Sequence, residues 1–132
     1  MNNMYGSDEE ASEEKERRQR AARFLDIHVF QGLGNRNTGF DVSTIKYFDE
    51  VDFAIVLERV RAFELGVHGI EPWKNGEYYV VATPDREADN PRVPAWYETA
   101  FARFRKESGD LLYSASYDIP DELIPPGSAS QP

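Results

Sequence analysis

Residues 24–30, FLDIHVF, set how many strands this chain can have. Leu25, Ile27 and Val29 alternate with Asp26 and His28, the period of a half-buried β-strand. On that reading Leu25, Ile27 and Val29 face a core, and Asp26 and His28 face the other way. The stretch that follows, QGLGNRNTGF at 31–40, carries Gly32, Gly34 and Gly39. A dinucleotide fingerprint starting at Gly32 needs glycine at position 37, which is asparagine. A phosphate loop counted from Gly34 to Gly39 needs lysine and then serine or threonine, but Phe40 and Asp41 stand there. The stretch reads as a connection, and no cofactor is expected.

Beyond it the period changes. Phe53, Val56, Leu57, Val60 and Phe63 recur at helical spacing, Asp49 is placed to cap the start, and Gly66 to take a left-handed conformation at the end. TIKYF at 44–48 either begins this helix or is a short extended piece. In VHGIEPWKNGEYYVVAT at 67–83, Asn75-Gly76 is the favoured dipeptide of a two-residue hairpin turn. That turn sets Trp73 opposite Tyr78, Glu71 opposite Val80 and Ile70 opposite Val81. Pro72 cannot donate to a ladder, which assigns its strand to a sheet edge. PDREADNPR at 84–92 is a loop. Pro94 suits the first turn of a second helix with Tyr97, Ala100, Phe101 and Phe104 on its apolar face, closed by Gly109. LLYSASYDI at 111–119 alternates, with Leu111, Tyr113, Ala115, Tyr117 and Ile119 on one face and Ser114, Ser116 and Asp118 on the other.

The order strand, helix, two strands, helix, strand is that of an α+β, ferredoxin-like β-α-β-β-α-β two-layer sandwich: a four-stranded antiparallel sheet with two helices on one face. An extra strand from 44–48 in another α+β layering is the alternative. Residues 1–22 form a charged N-terminal tail or loose helix. Glu13 and Arg17, Glu14 and Arg18, and Glu16 and Arg20 stand at i, i+4, and Ser7 and Glu10 have capping-box spacing, but almost no apolar stripe accompanies them. Residues 23–124 read as a single α+β domain, and 125–132 as a flexible Pro/Ser tail.

The chain has 132 residues, with 15 basic against 24 acidic side chains and a formal net charge of −9. That balance opposes a polyanionic partner, so neither nucleic acid nor an anionic membrane surface is expected. NGEYYVV also puts Glu77 where an RNA-recognition strand would stack an aromatic ring. No apolar run approaches the roughly 20 residues that span a bilayer. The absence of cysteine removes disulfides, thiolate metal sites and cysteine nucleophiles, and cytoplasm is the expected location. His28 and His68 lack metal-ligand spacing, and no metal site is expected.

Two readings of function remain. In the first, Phe24, Phe30, Trp73, Tyr78 and Val80 gather on the open sheet face as a partner surface. The chain is then a small acidic interaction module, either a homodimer or an inhibitor or immunity-type partner of a basic protein. In the second, the polar members of that face form a catalytic or ligand site. His28 would be the base, Asp26 or Asp118 would orient it, and Ser116, Ser114 and Glu71 would lie nearby. No oxyanion hole is evident for that set.

Overall fold

The computed structural model describes residues 2–75, 77–84 and 90–126. The chain divides into two compact units, Met1–Gln31 with Ile119–Pro132, and Gly32–Asp118.

In the first unit, helix α1 (Asn2–Phe24) passes without a break into a π-helical turn, Leu25–Val29. Residues 24–30 are therefore not a strand. The Phe30 N–H donates to the Leu25 carbonyl at 2.7 Å, five residues back. The buried pair here is Phe24 and Val29, while Ile27 is exposed. An α-helix of about 3.6 residues per turn carries residue i+5 past the face of residue i; a turn closed from i to i+5 brings it back. The same apolar letters thus satisfy a widened helical turn. Extending a helix already formed over Asn2–Phe24 fixes one residue per bond gained, which is less costly than starting a new element.

Helix α1 runs through Ser7, so that residue does not cap its start. Glu14 and Arg18 approach to 3.8 Å as their spacing predicts. Arg17 and Arg20 act elsewhere. Arg17 donates to the Asp121 carboxylate at 3.0 Å and the Ile119 carbonyl at 3.2 Å, and Arg20 to the Ile124 carbonyl at 3.1 Å. These bonds hold a 3₁₀ turn, Asp121–Leu123, beside the helix. Most of the Pro/Ser tail, residues 127–132, lies outside the described residues.

The second unit is an open three-stranded antiparallel sheet in the order β2-β1-β3, with β1 Gly66–Lys74, β2 Glu77–Tyr78 and β3 Leu112–Asp118. Helices α2 (Glu50–Ala62) and α3 (Pro94–Glu107) complete it. The protein is α+β, with three strands and three α-helices among the described residues. The four-stranded ferredoxin-like arrangement is lost because its first strand is helical. The 44–48 piece contributes a single bridge, in which Phe48 exchanges backbone bonds of 2.9 and 2.7 Å with Tyr113.

Asp49 caps α2 by accepting from the Asp52 N–H at 2.9 Å, and Phe53, Val56, Leu57 and Val60 are buried. The left-handed residue after α2 is Glu64 (φ 57°), not Gly66. Gly66 opens β1, where a Cβ would lie 3.0 Å from the Asp118 Cβ and 3.2 Å from the Arg92 Cγ, so close approach is what requires glycine. Pro94 starts α3, which buries Trp96, Tyr97, Ala100, Phe101 and Phe104.

Pro72 lies in the central strand, not at an edge. The pairing explains why this is tolerated. Pro72 stands opposite Tyr113, whose backbone turns away from β1 to bond Phe48. Their pair is thus one that exchanges no ladder bonds, and the missing N–H of Pro72 faces β2. There Tyr79 donates to the Pro72 carbonyl at 2.9 Å, and only the reciprocal bond is absent. Trp73 pairs with Tyr78 and Lys74 with Glu77, the expected hairpin register. Asn75 has φ 51°, and Gly76 of the same turn lies outside the described residues. Beyond Tyr79 the register slips. Ile70 bridges Ala82, not Val81, so Val80 and Val81 together oppose Glu71 as a bulge.

The core of this unit centres on Tyr113. Its ring stacks on Phe53 (centroids 5.0 Å, planes 10° apart) and meets Phe101 edge-on at 5.0 Å. Its hydroxyl is buried without a hydrogen-bond partner, as is that of Tyr97, and burial pushes the Tyr113 phenol up to about 12. An unmet buried hydroxyl costs about 1–3 kcal/mol. Tyr113→Phe keeps the ring and removes that cost, so it should stabilise the protein by about 1 kcal/mol. The check is the urea midpoint, which should rise with unchanged slope; a fall would mean that the hydroxyl is bonded in solution.

Candidate functional site

The glycine-rich stretch folds as a side-chain-bonded loop over the sheet face opposite α2 and α3. Two asparagines organise it. The Asn35 side-chain oxygen accepts from the N–H groups of Asn37 and Tyr47, both at 3.0 Å. The Asn37 amide donates to the carbonyls of Asp41, Val42 and Ile45 at 3.3, 2.9 and 2.9 Å, and its oxygen accepts from the Gly39 N–H at 3.0 Å. The Gly34 N–H donates to Asp52 at 3.1 Å, and Arg36 pairs with Asp49 at 3.0 Å. The N–H groups of Gly34, Asn37 and Gly39 therefore already serve acceptors of this chain. Left-handed backbone at Gly32 (φ 81°) and Gly39 (φ 111°) permits the two bends.

The far end of the loop delivers Phe40, Asp41 and Tyr47 to the hairpin. Trp73 stacks on Phe40 (4.8 Å, 26°), meets Tyr78 edge-on at 4.8 Å and lies 5.9 Å from Tyr47. The Tyr47 hydroxyl donates to the Asp41 carboxylate at 2.6 Å, and Tyr78 donates to the same oxygen at 3.3 Å. The hydrogen bond from Tyr47, then those from the Val42 N–H and Tyr78, hold the Asp41 carboxyl below its ordinary range against an opposing effect of burial. Burial and the Asp41 carboxylate raise the Tyr47 phenol. Ser114 does lie on the face away from the helices, but that face is not open there. Ser114 is only 3% exposed, and its hydroxyl reaches the Glu71 carbonyl at 3.5 Å.

Tyr79 turns to the opposite face. Its ring meets Phe104 edge-on at 6.2 Å and its hydroxyl donates to Glu107 at 3.0 Å. Side chains from Tyr78 to Val81 remain well exposed, at 53, 38, 47 and 54% in order. Among the described residues Val80 and Val81 make no backbone hydrogen bond, and β2 is the outer strand on its side of the sheet.

The predicted catalytic residues are not brought together on one strand pair. Asp26 and His28 lie on the π-helical turn of the first unit, where His28, with its ring 4.6 Å from Phe24, lines a shallow groove with Arg20, Arg23, Ile27, Leu123 and Ile124. Asp118 and Ser116 belong to β3 of the second unit, where Asp118 is paired with Arg92 at 3.1 Å and Ser116 stands opposite Gly69. Glu71 stands opposite Ser114. Of the predicted interface residues, Trp73 and Tyr78 are adjacent and Val80 is close in sequence, whereas Phe24 is buried and Phe30 half-buried in the first unit. Sequence reasoning missed Phe40, Asp41 and Tyr47, because nothing local marks a loop as the cover of a sheet. It also passed over Tyr79 and Val81, although both sit in the YYVV run.

Among the described residues no group of three or more histidine or acidic side chains is placed to hold a metal ion, and no helix is long and apolar enough to cross a membrane. Comparison with protein-family models, with curated proteins and with solved structures finds no match to this chain.

The Asp41 cluster carries a pH signature. A carboxyl whose folded value is lowered stabilises the fold above its ordinary value of 3.8, and that contribution is lost as pH falls through the lowered one. Asp41→Asn should therefore lower the urea midpoint at pH 7, and its deficit relative to the parent should shrink as both are titrated to about pH 3. A deficit that stays constant with pH would show that the carboxylate charge contributes nothing.

Proposed function

We propose that this chain is a cytoplasmic protein-interaction module that engages a basic protein, as an inhibitor or immunity-type partner would. The observation that carries this reading is the exposed run Tyr78–Val81. It places four large side chains in sequence at the end of the outer strand and just beyond it, while the neighbouring Trp73 is packed beneath Phe40 and Tyr47. Gathered exposed aromatic and aliphatic side chains are the usual anchors of a partner surface. A formal net charge of −9 favours encounter with a basic partner and opposes self-association. A homodimer stacked face to face over Trp73 loses its main argument, since this chain's own loop covers that ring.

The test compares the parent with the double variant Val80→Ser, Val81→Ser, both immobilised and exposed to lysate of the source cell, with captured proteins quantified by mass spectrometry. Captured proteins of high isoelectric point should fall about tenfold with the variant, while its melting temperature stays close to the parent's. Equal capture by both proteins would remove this run from any interface.

A further inference from the structure

We infer that the outer edge formed by β2 and the residues that follow it accepts one extended segment of a basic polypeptide, joined backbone to backbone along Tyr78–Val81. This rests on the interaction-module reading and deepens it by naming the mode of binding. Three observations converge. The first is the state of the edge. Tyr79 donates inward to Pro72 at 2.9 Å, so strand alternation turns the backbone of Tyr78 outward. The bulge then leaves Val80 and Val81 without a backbone hydrogen bond among the described residues. Unpaired backbone N–H and C=O groups at the edge of a sheet are what an added strand pairs with.

The second is what the edge lacks. Sheet edges are commonly blunted by lysine, proline or inward-pointing charge, and also by bulges and short strands; this edge has a bulge but neither charge nor proline, since residues 78–82 read YYVVA. Pro72, which would have been such a guard on an outer strand, lies instead in β1. The third is the rim. Asp41 meets the Tyr78 hydroxyl at 3.3 Å, Glu107 meets that of Tyr79 at 3.0 Å, and Glu77 is exposed at the start of β2. Of the nearby bases, Lys74 is engaged with Ser108 at 3.1 Å, and Arg103 stands 4.0 Å from Glu107. Carboxylates thus border an apolar, backbone-open strand on both faces of the sheet. Lysine or arginine on alternate positions of an incoming strand would share one face and meet Glu77 and Glu107 there, with valine-like residues on the other face.

The experiment uses the whole chain and the synthetic peptide Lys-Val-Lys-Val-Lys-Val, with Glu-Val-Glu-Val-Glu-Val and a fully N-methylated copy of the lysine peptide as controls. Amide hydrogen exchange is read by NMR. In the free protein the amides of Tyr78, Val80 and Val81 should exchange fast and that of Tyr79 slowly. The lysine peptide should slow the first three by about tenfold or more, and neither control should. Val80→Pro removes an N–H that bonds nothing among the described residues, so it should leave the melting temperature nearly unchanged and weaken the lysine peptide by about tenfold. Equal protection by the glutamate peptide would overturn the basic occupant. Protection of these amides that appears without peptide and grows with protein concentration would make the occupant a second copy and overturn it too. Peptide binding that maps elsewhere, or is unchanged by Val80→Pro, would overturn the edge while leaving an acidic interaction module standing. Loss of lysate capture in the Val80→Ser, Val81→Ser variant without any peptide protection would likewise place the partner on these side chains but not on the backbone.

Discussion

Tyr113 ties the elements of the larger unit together. Its ring lies between α2 and α3, stacked on Phe53 and edge-on to Phe101, and its backbone exchanges two hydrogen bonds with Phe48. Phe48 immediately precedes Asp49, the residue that caps α2, so this bridge fixes where the helix begins as well as what it packs on. Opposite Tyr113 stands Pro72, and the direction of the Tyr113 backbone is what makes proline acceptable in a central strand. The ring is retained at the cost of a buried hydroxyl with no partner, which indicates how much of the packing depends on a large flat side chain at this point.

The sheet that results has two differently furnished faces. Aromatic side chains of α2 and α3 fill one. The loop anchored by Asn35 and Asn37 covers the Trp73 and Ser114 end of the other. Adjacent residues of a strand point to opposite faces, so Tyr78 and Tyr79 reach one face each, and each ends on a carboxylate, Asp41 or Glu107. Both tyrosines are thereby oriented while the backbone edge between the two faces stays open. The proposed function follows from that arrangement and from the acidity of the chain, and it needs no contribution from His28.

The histidine shows how a short pattern misleads. Alternation over seven residues, 24–30, fitted a strand that would have set Asp26 and His28 beside Ser116 and Asp118. The same seven residues form the end of a long helix whose last turn widens. Period two and a five-residue repeat coincide over so short a span, and only the fate of the preceding helix separates them. Once 24–30 is helical, the fourth strand is gone, and with it the strand pairing that would have set Asp26 and His28 beside Ser116 and Asp118.

Local chemistry was enough for α2 with its Asp49 cap, for α3 from Pro94, for β3, and for the register that pairs Trp73 with Tyr78 across the turn. Each depends on residues a few positions apart, and their spacing is written in the chain. The position of Pro72 in the sheet, the cover over Trp73, and the reach of Arg17 to Asp121 across 104 positions depended on the folded chain. Such contacts depend on which distant segments meet, and that is set by the closure of the whole chain around its buried aromatic rings, a constraint that no window of neighbouring residues contains.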